Sequence, residues 1–194
     1  MEVTRIYYDN GNIKYESYYH NGKFHRENGP AVTHYDKNGT ITLERYYINN
    51  ELHREDGPAY IYYKNGNKKI ERYCVNSLHH REDGPAYIEY YENGNIQLER
   101  YCINGKRHRE DGPAKICYYS NGNVKSEDYF INDDKINLEQ YENINYSKLM
   151  ELINLHDDIY SLLMLKIIIN IKYINEKQQL LELIDSKIIM LELI

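Results

Sequence analysis

His80-Arg81-Glu82-Asp83-Gly84-Pro85-Ala86 is one of four copies of a heptapeptide; the same seven residues begin at His53 and His108, and a copy with Asn28 in place of the aspartate begins at His25. The motif glycines, Gly29, Gly57, Gly84 and Gly112, stand 28, 27 and 28 residues apart. A period that regular is the trace of one supersecondary unit repeated in tandem. In such arrays each unit packs on its neighbours, so the repeat decides the fold class.

Working outward from the motif, Asn-Gly pairs stand at Asn10-Gly11, Asn38-Gly39, Asn65-Gly66, Asn93-Gly94 and Asn121-Gly122. Asn-Gly between alternating apolar segments is a strong hairpin signal, which makes residues 86–91 one strand and 96–103 its partner. A unit then holds two strands, one Asn-Gly turn and a longer loop carrying the heptapeptide. A two-residue loop at Asn93-Gly94 would pair Tyr91 with Ile96. A three-residue loop, Glu92-Asn93-Gly94, separates apolar from polar positions better and is preferred, because a slip of one residue sends every side chain to the opposite face.

That register predicts one face with Thr33, Tyr35, Ile41, Leu43, Ile61, Tyr63, Ile70, Ile88, Ile96, Leu98 and Ile116. The other face carries Glu16, Glu44, Glu71, Glu99 and Glu127, each followed two residues later by Tyr18, Tyr46, Tyr73, Tyr101 and Tyr129. The unit containing Ala59 is one residue short before Gly66, which predicts a bulge or an altered turn there. Ten strands at about 4.8 Å would form an elongated single-layer antiparallel meander roughly 45 Å long.

Composition agrees. The chain has 23 Tyr against 2 Phe and no Trp, as suits half-buried pleated surfaces with aromatic ladders. A formal charge of -6 argues against nucleic acid as a partner. Cys74, Cys102 and Cys117 contain no CxxC pair, which fits free thiols in a reducing compartment. No leader follows Met1, so the expected location is intracellular and cytoplasmic.

Tyr101-Cys102-Ile103-Asn104-Gly105-Lys106-Arg107-His108, followed by Gly112 and by Tyr119-Ser120-Asn121-Gly122, resembles the MORN repeat. It departs from that family by inserting Arg-Glu-Asp after the histidine and by placing Tyr where the family has Trp. It looks like a divergent branch of MORN-like repeats with the His-Arg-Glu-Asp-Gly-Pro-Ala signature, found in large DNA viruses and phages, which would make the location host cytoplasm. The resemblance covers about residues 1–135. It implies scaffolding, dimerisation and lipid-headgroup contact.

The heptapeptide's His, Arg, Glu and Asp could be read as a metal or acid–base site. Equivalent residues of adjacent units sit two strands, about 9.6 Å, apart, whereas zinc needs its donors at roughly 2.0–2.3 Å from one ion. No metal site, catalytic residue or cofactor is therefore expected. The structural reading gives His25, Arg26, His53, Arg54, His80, Arg81, His108 and Arg109 loop-forming roles: Asp-Gly makes the turn, Pro ends it, Arg and the strand Glu neutralise one another, and His bonds loop carbonyls or Glu. The tyrosine row Tyr46, Tyr73, Tyr101 and Tyr129 is the candidate binding surface.

Continuing the period calls for His at 136 and Gly at 140, where Ile136 and Gln140 stand. The array therefore ends near 135, and residues 136–194 form a second region. From Ser147 onward turn residues vanish and apolar positions recur at helical spacing. Asp157 or Asp158 could cap a helix to about Tyr173, and Asn175 with Gln178 a last helix. Leu181, Ile184, Ile188 and Leu191 would form its seam, either in a hairpin capping the last strand or in a homodimer. The expected protein is mainly β with an α C-terminal part: a non-enzymatic interaction or scaffolding module with an unidentified protein partner. The alternative is a phosphoinositide-headgroup binder, for which the acidic balance makes membrane contact the weaker expectation.

Overall fold

The computed structural model describes residues 1–155, 182 and 184–189. The chain divides into two compact units, Met1–Asn137 and Leu138–Ile194. The first is one open antiparallel meander of twelve strands. Eleven of them follow one another across the sheet in chain order: Glu2–Tyr7, Ile13–His20, Val32–Tyr35, Ile41–Arg45, Tyr60–Lys64, Asn67–Arg72, Tyr87–Tyr90, Ile96–Arg100, Lys115–Tyr118, Val124–Ile131 and Asp134–Ile136. Lys23–Phe24 pairs off this path with the end of Ile13–His20. The final strand extends the array just past residue 135.

The Asn-Gly hairpins close as the sequence predicts. Around Asn93-Gly94, the Tyr91 N–H donates to Asn95 and the Gly94 N–H to Tyr91, with Gly94 left-handed at φ 87°. The short unit differs: Lys64 pairs with Asn67 across Asn65-Gly66, both at positive φ, which is a two-residue type I′ turn.

Each hairpin also contains a bulge, and it overturns the predicted faces. Tyr90 pairs with Ile96 but Glu89 pairs with Leu98, so Gln97 is extra; the same shift recurs at His34/Tyr35, Tyr62/Tyr63 and Cys117/Tyr118. Beyond a bulge the alternation reverses. Leu43, Ile70 and Leu98 therefore lie on the face opposite Ile61, Ile88 and Ile116. The glutamates cross the other way, because Ile88 is paired directly with both Glu71 and Glu99, and Glu99 with Ile116. Apolar and acidic residues thus share one face.

The loop between strands also holds a second hairpin that the sequence reading treated as plain loop. Tyr47–Ile48 pairs with Glu51–Leu52, Cys74–Val75 with Leu78–His79, and Cys102–Ile103 with Lys106–Arg107. The central residues, such as Asn76 and Ser77 at φ 49° and 65°, have the type I′ conformation. Burial is spread thinly along the sheet, and its most regular element is the motif alanine: Ala31, Ala59, Ala86 and Ala114 are all fully buried. Cys74 and Cys102 are buried free thiols, each pushed up to about 11 by burial.

In the second unit, Leu138–Leu155 is a helix, starting nine residues before Ser147. Asn137 and Gln140 have the spacing of an N-cap and its N3 partner, and Glu139 sits in the first turn. Residues 184–189 are helical, with Ile184 and Ile188 buried. The predicted caps at Asp157, Asp158 and Asn175, the helix end at Tyr173, and the seam positions Leu181 and Leu191 lie outside the described residues. No described helix is long and apolar enough to cross a membrane.

Candidate functional site, the repeated motif loops

In each unit the motif arginine lies flat between a tyrosine ring and the motif glycine. Arg26 stands 3.8 Å over Tyr18, Arg54 4.1 Å over Tyr46, Arg81 4.0 Å over Tyr73 and Arg109 3.9 Å over Tyr101. On the other side a Cβ built on Gly84 would come within 2.9 Å of the Arg81 guanidinium carbon, and on Gly57 or Gly112 within 3.0 Å of its arginine. Three of these four glycines have no positive φ, so the arginine's proximity, not the turn, excludes a side chain there. Gly29, at φ 125°, is constrained by its backbone as well.

The motif acid completes the clamp. Arg54 Nε donates to Asp56 at 2.7 Å, Arg81 Nε to Asp83 at 2.8 Å and Arg109 Nε to Asp111 at 2.8 Å. The hydrogen bond from Arg81, followed by its charge, holds Asp83 below the usual carboxylate range. In the first copy, where Asn28 replaces the acid, Arg26 donates to the Pro30 carbonyl, a bond that Arg109 also makes to Pro113. The predicted neutralisation of Arg by the strand Glu is thus replaced by a pair inside the loop.

Histidine joins one unit to the next. Nδ1 of His25, His53, His80 and His108 accepts the backbone N–H of Asn49, Asn76, Asn104 and Asn132 at 3.1–3.3 Å, each asparagine heading the following unit's type I′ turn. At His25 and His53 the same nitrogen also lies 3.1 and 3.0 Å from the asparagine side-chain oxygen, and in all four rings Nε2 lies 3.7–3.9 Å from the motif glutamate two residues on. At that distance the glutamate is a neighbour and not a hydrogen-bond acceptor, and a backbone donor takes the place of the expected loop carbonyl. The arginine backbone N–H reaches the same way, from Arg54 to Cys74 and from Arg81 to Cys102.

The strand glutamates also bond across units. Glu44 accepts from the Tyr63 hydroxyl at 2.8 Å, Glu71 from Tyr90 at 2.6 Å and Glu99 from Tyr118 at 2.7 Å. Glu71 is 4 % exposed and also holds Lys68 at 2.6 Å. Burial first, then the bond to glutamate, pushes all three tyrosine hydroxyls far above their ordinary range. Sequence reading missed this ladder, although its tyrosines keep the period of 27 and 28 residues. Among the described residues no three His, Cys, Asp or Glu converge on one metal position.

This is a periodic lattice of inter-unit bonds. The MORN repeat variant family matches residues 3–23, 55–76, 86–102 and 115–132. The chain is a MORN-like repeat protein. Comparison with curated proteins and with solved structures returned no match. In this MORN-like array Tyr46, Tyr73 and Tyr101 are half-buried beneath their arginines. Tyr129 is half-buried too, and at position 137, where the period would bring an arginine, stands Asn137.

The clamp makes a sharp prediction. Gly84→Ala pushes the Arg81 guanidinium off Tyr73 and Asp83, and should cost about 1 kcal/mol of array stability in urea unfolding. In an Arg81→Ala background the same substitution should be nearly neutral. An equal cost in both backgrounds would show that the glycine is required for the turn itself.

Proposed function

We propose that the array is a non-enzymatic module for protein–protein interaction, working inside the cell as a scaffold. The observation that carries this reading is the row of motif loops. They repeat one side-chain arrangement at a fixed pitch, and an open groove of about 990 Å³ runs between the loops at residues 54–58 and 80–83. A second groove of about 450 Å³ follows between the loops at 81–85 and 108–111. The tips are acidic: Glu55, Asp56, Glu82 and Asp83 are 83–85 % exposed. The groups that acid–base chemistry would use, the motif histidines and the strand glutamates, are committed to the same inter-unit bonds in unit after unit. Such a row presents many equivalent contacts, which suits recognition of a protein surface and adds avidity along the array.

Photo-crosslinking from position 82 and from the exposed position 62 of the full chain, in its native cell, tests the reading. The expected result is a discrete polypeptide adduct that purified components then reproduce. Absence of any protein adduct from either position would discard it.

A further inference from the structure

The face opposite the motif loops carries a second periodic row that the loop chemistry does not use. Direct pairing aligns Arg45 with Tyr60, Tyr60 with Arg72, Arg72 with Tyr87, and Tyr87 with Arg100. Guanidinium and phenol therefore alternate across five consecutive strands. The arginines contact rings: Arg72 lies 4.6 Å from the Tyr60 ring centre and 5.8 Å from Tyr87, and Arg100 lies 4.9 Å from Tyr87. Among the described residues no carboxylate pairs with Arg45, Arg72 or Arg100. This contrasts with the motif arginines Arg54, Arg81 and Arg109, each of which holds an aspartate.

Two buried nitrogens in this region, Arg72 Nε and His79 Nε2, have no hydrogen-bond partner among the described residues. Arg72 Nε is an obligate donor, and a buried donor without a partner is costly. Beside them a cavity of about 390 Å³ is lined by His79, Tyr87, Arg100, Arg107, Lys115 and Asp133, among others. Its one carboxylate, Asp133, is taken by Arg107 at 2.8 Å, and Lys115 turns to Asp128 at 3.2 Å. A visiting oxyanion would meet Arg100. Burial, and then the positive charges of Arg72 and Arg100, lower the pKa of His79.

We infer that this Arg–Tyr row docks an extended acidic segment of a protein partner, its carboxylates spaced every third residue. The inference rests on the protein-interaction reading above and names the partner's chemistry. Successive row arginines are two strands, about 9.6 Å, apart, and in a chain of polyproline II conformation, with three residues per turn, residues i and i+3 lie on one face about 9.3 Å apart. One such segment laid across the sheet therefore offers a carboxylate to each guanidinium and an intervening backbone to each ring. A membrane fits less well, because the guanidiniums are half-buried rather than projecting.

Fluorescence anisotropy of the full chain with a labelled peptide of repeating Glu-Ser-Thr tests the docking. Saturable, salt-sensitive binding is expected, weakened about tenfold by Arg72→Gln and again by Arg100→Gln, with Arg72→Lys retaining part of the affinity. Lys115→Gln, whose ammonium is already held by Asp128, should weaken binding by a smaller factor, and circular dichroism confirms that each variant is folded. Equal binding of a Lys-Ser-Thr peptide, indifference to these arginine substitutions, or binding of phosphatidylserine vesicles without the peptide would overturn the inference. A protein adduct formed from position 82 but not from position 62, which lies on the row's face beside Tyr60, and not displaced by the peptide, would overturn it while leaving the interaction reading intact.

Discussion

Above about pH 10 the array is expected to lose stability steeply, with tyrosinate absorbance and loss of the β signal in circular dichroism rising together. Tyr63, Tyr90 and Tyr118 ionise at about 10 when unfolded, and in the sheet each donates its proton to a glutamate of the neighbouring unit. The sign follows from linkage. A folded-state pKa raised above the unfolded value means that the folded chain holds more protons, so the contribution is complete below about pH 10 and falls as pH rises. The ceiling is ~1.4 kcal/mol per pH unit for each hydroxyl, and solvent at these partly exposed rings reduces it to a fraction. Deprotonation would also set a phenolate against Glu71, which is nearly inaccessible to water. Replacing all three tyrosines with Phe should flatten the alkaline limb while lowering stability at neutral pH. Tyrosinate appearing gradually at pH 10 with the dichroism unchanged would refute the coupling.

The period, the strand directions and the Asn-Gly loops were legible because each rests on local chemistry: Gly94 tolerates the left-handed conformation, and Asn heads the turn. Even the altered turn at Asn65-Gly66 followed from one missing residue. The faces were not legible. A bulge adds one residue to one strand, and Gln97, Lys69 and Thr42 carry no signature that separates them from ordinary alternating positions. The short type I′ hairpins were hidden for a related reason. Their turns are Asn49-Asn50, Asn76-Ser77 and Asn132-Asp133 as well as Asn21-Gly22 and Asn104-Gly105, so a search for Asn-Gly finds only part of the set.

The site was half legible. Arg next to Asp-Gly suggests a charged loop, but that the glycine is there to admit a guanidinium depends on a tyrosine brought in by the preceding strand. Arg45, Arg72 and Arg100 each follow a glutamate directly, and in sequence Glu-Arg reads as a self-neutralising pair. Adjacent strand residues point to opposite faces, so the two charges never meet. That separation leaves the glutamate to a tyrosine on one side and the arginine unpaired on the other.

Ala86→Leu is expected to be among the most damaging single substitutions in the array, costing about 3 kcal/mol or more. Ala86 has no exposed surface, and neither do its equivalents in the other units. Its backbone cannot retreat, because its N–H donates to Arg100 at 2.9 Å while its carbonyl accepts from Tyr73 at 2.8 Å. Three added carbons would displace the Tyr73–Arg81 stack or break one of those bonds. Each unit is stabilised chiefly by its neighbours, so damage at Ala86 removes contacts on both sides and splits the array near its middle. Urea unfolding should then change from one transition to two, the first at a much lower midpoint. Ala86→Gly, which keeps the space and loses only backbone restriction, should cost about 0.5–1 kcal/mol and preserve the single transition. If Ala86→Leu lowered the midpoint no more than Ala86→Gly, the buried alanine row would not be the packing constraint that spaces the strands.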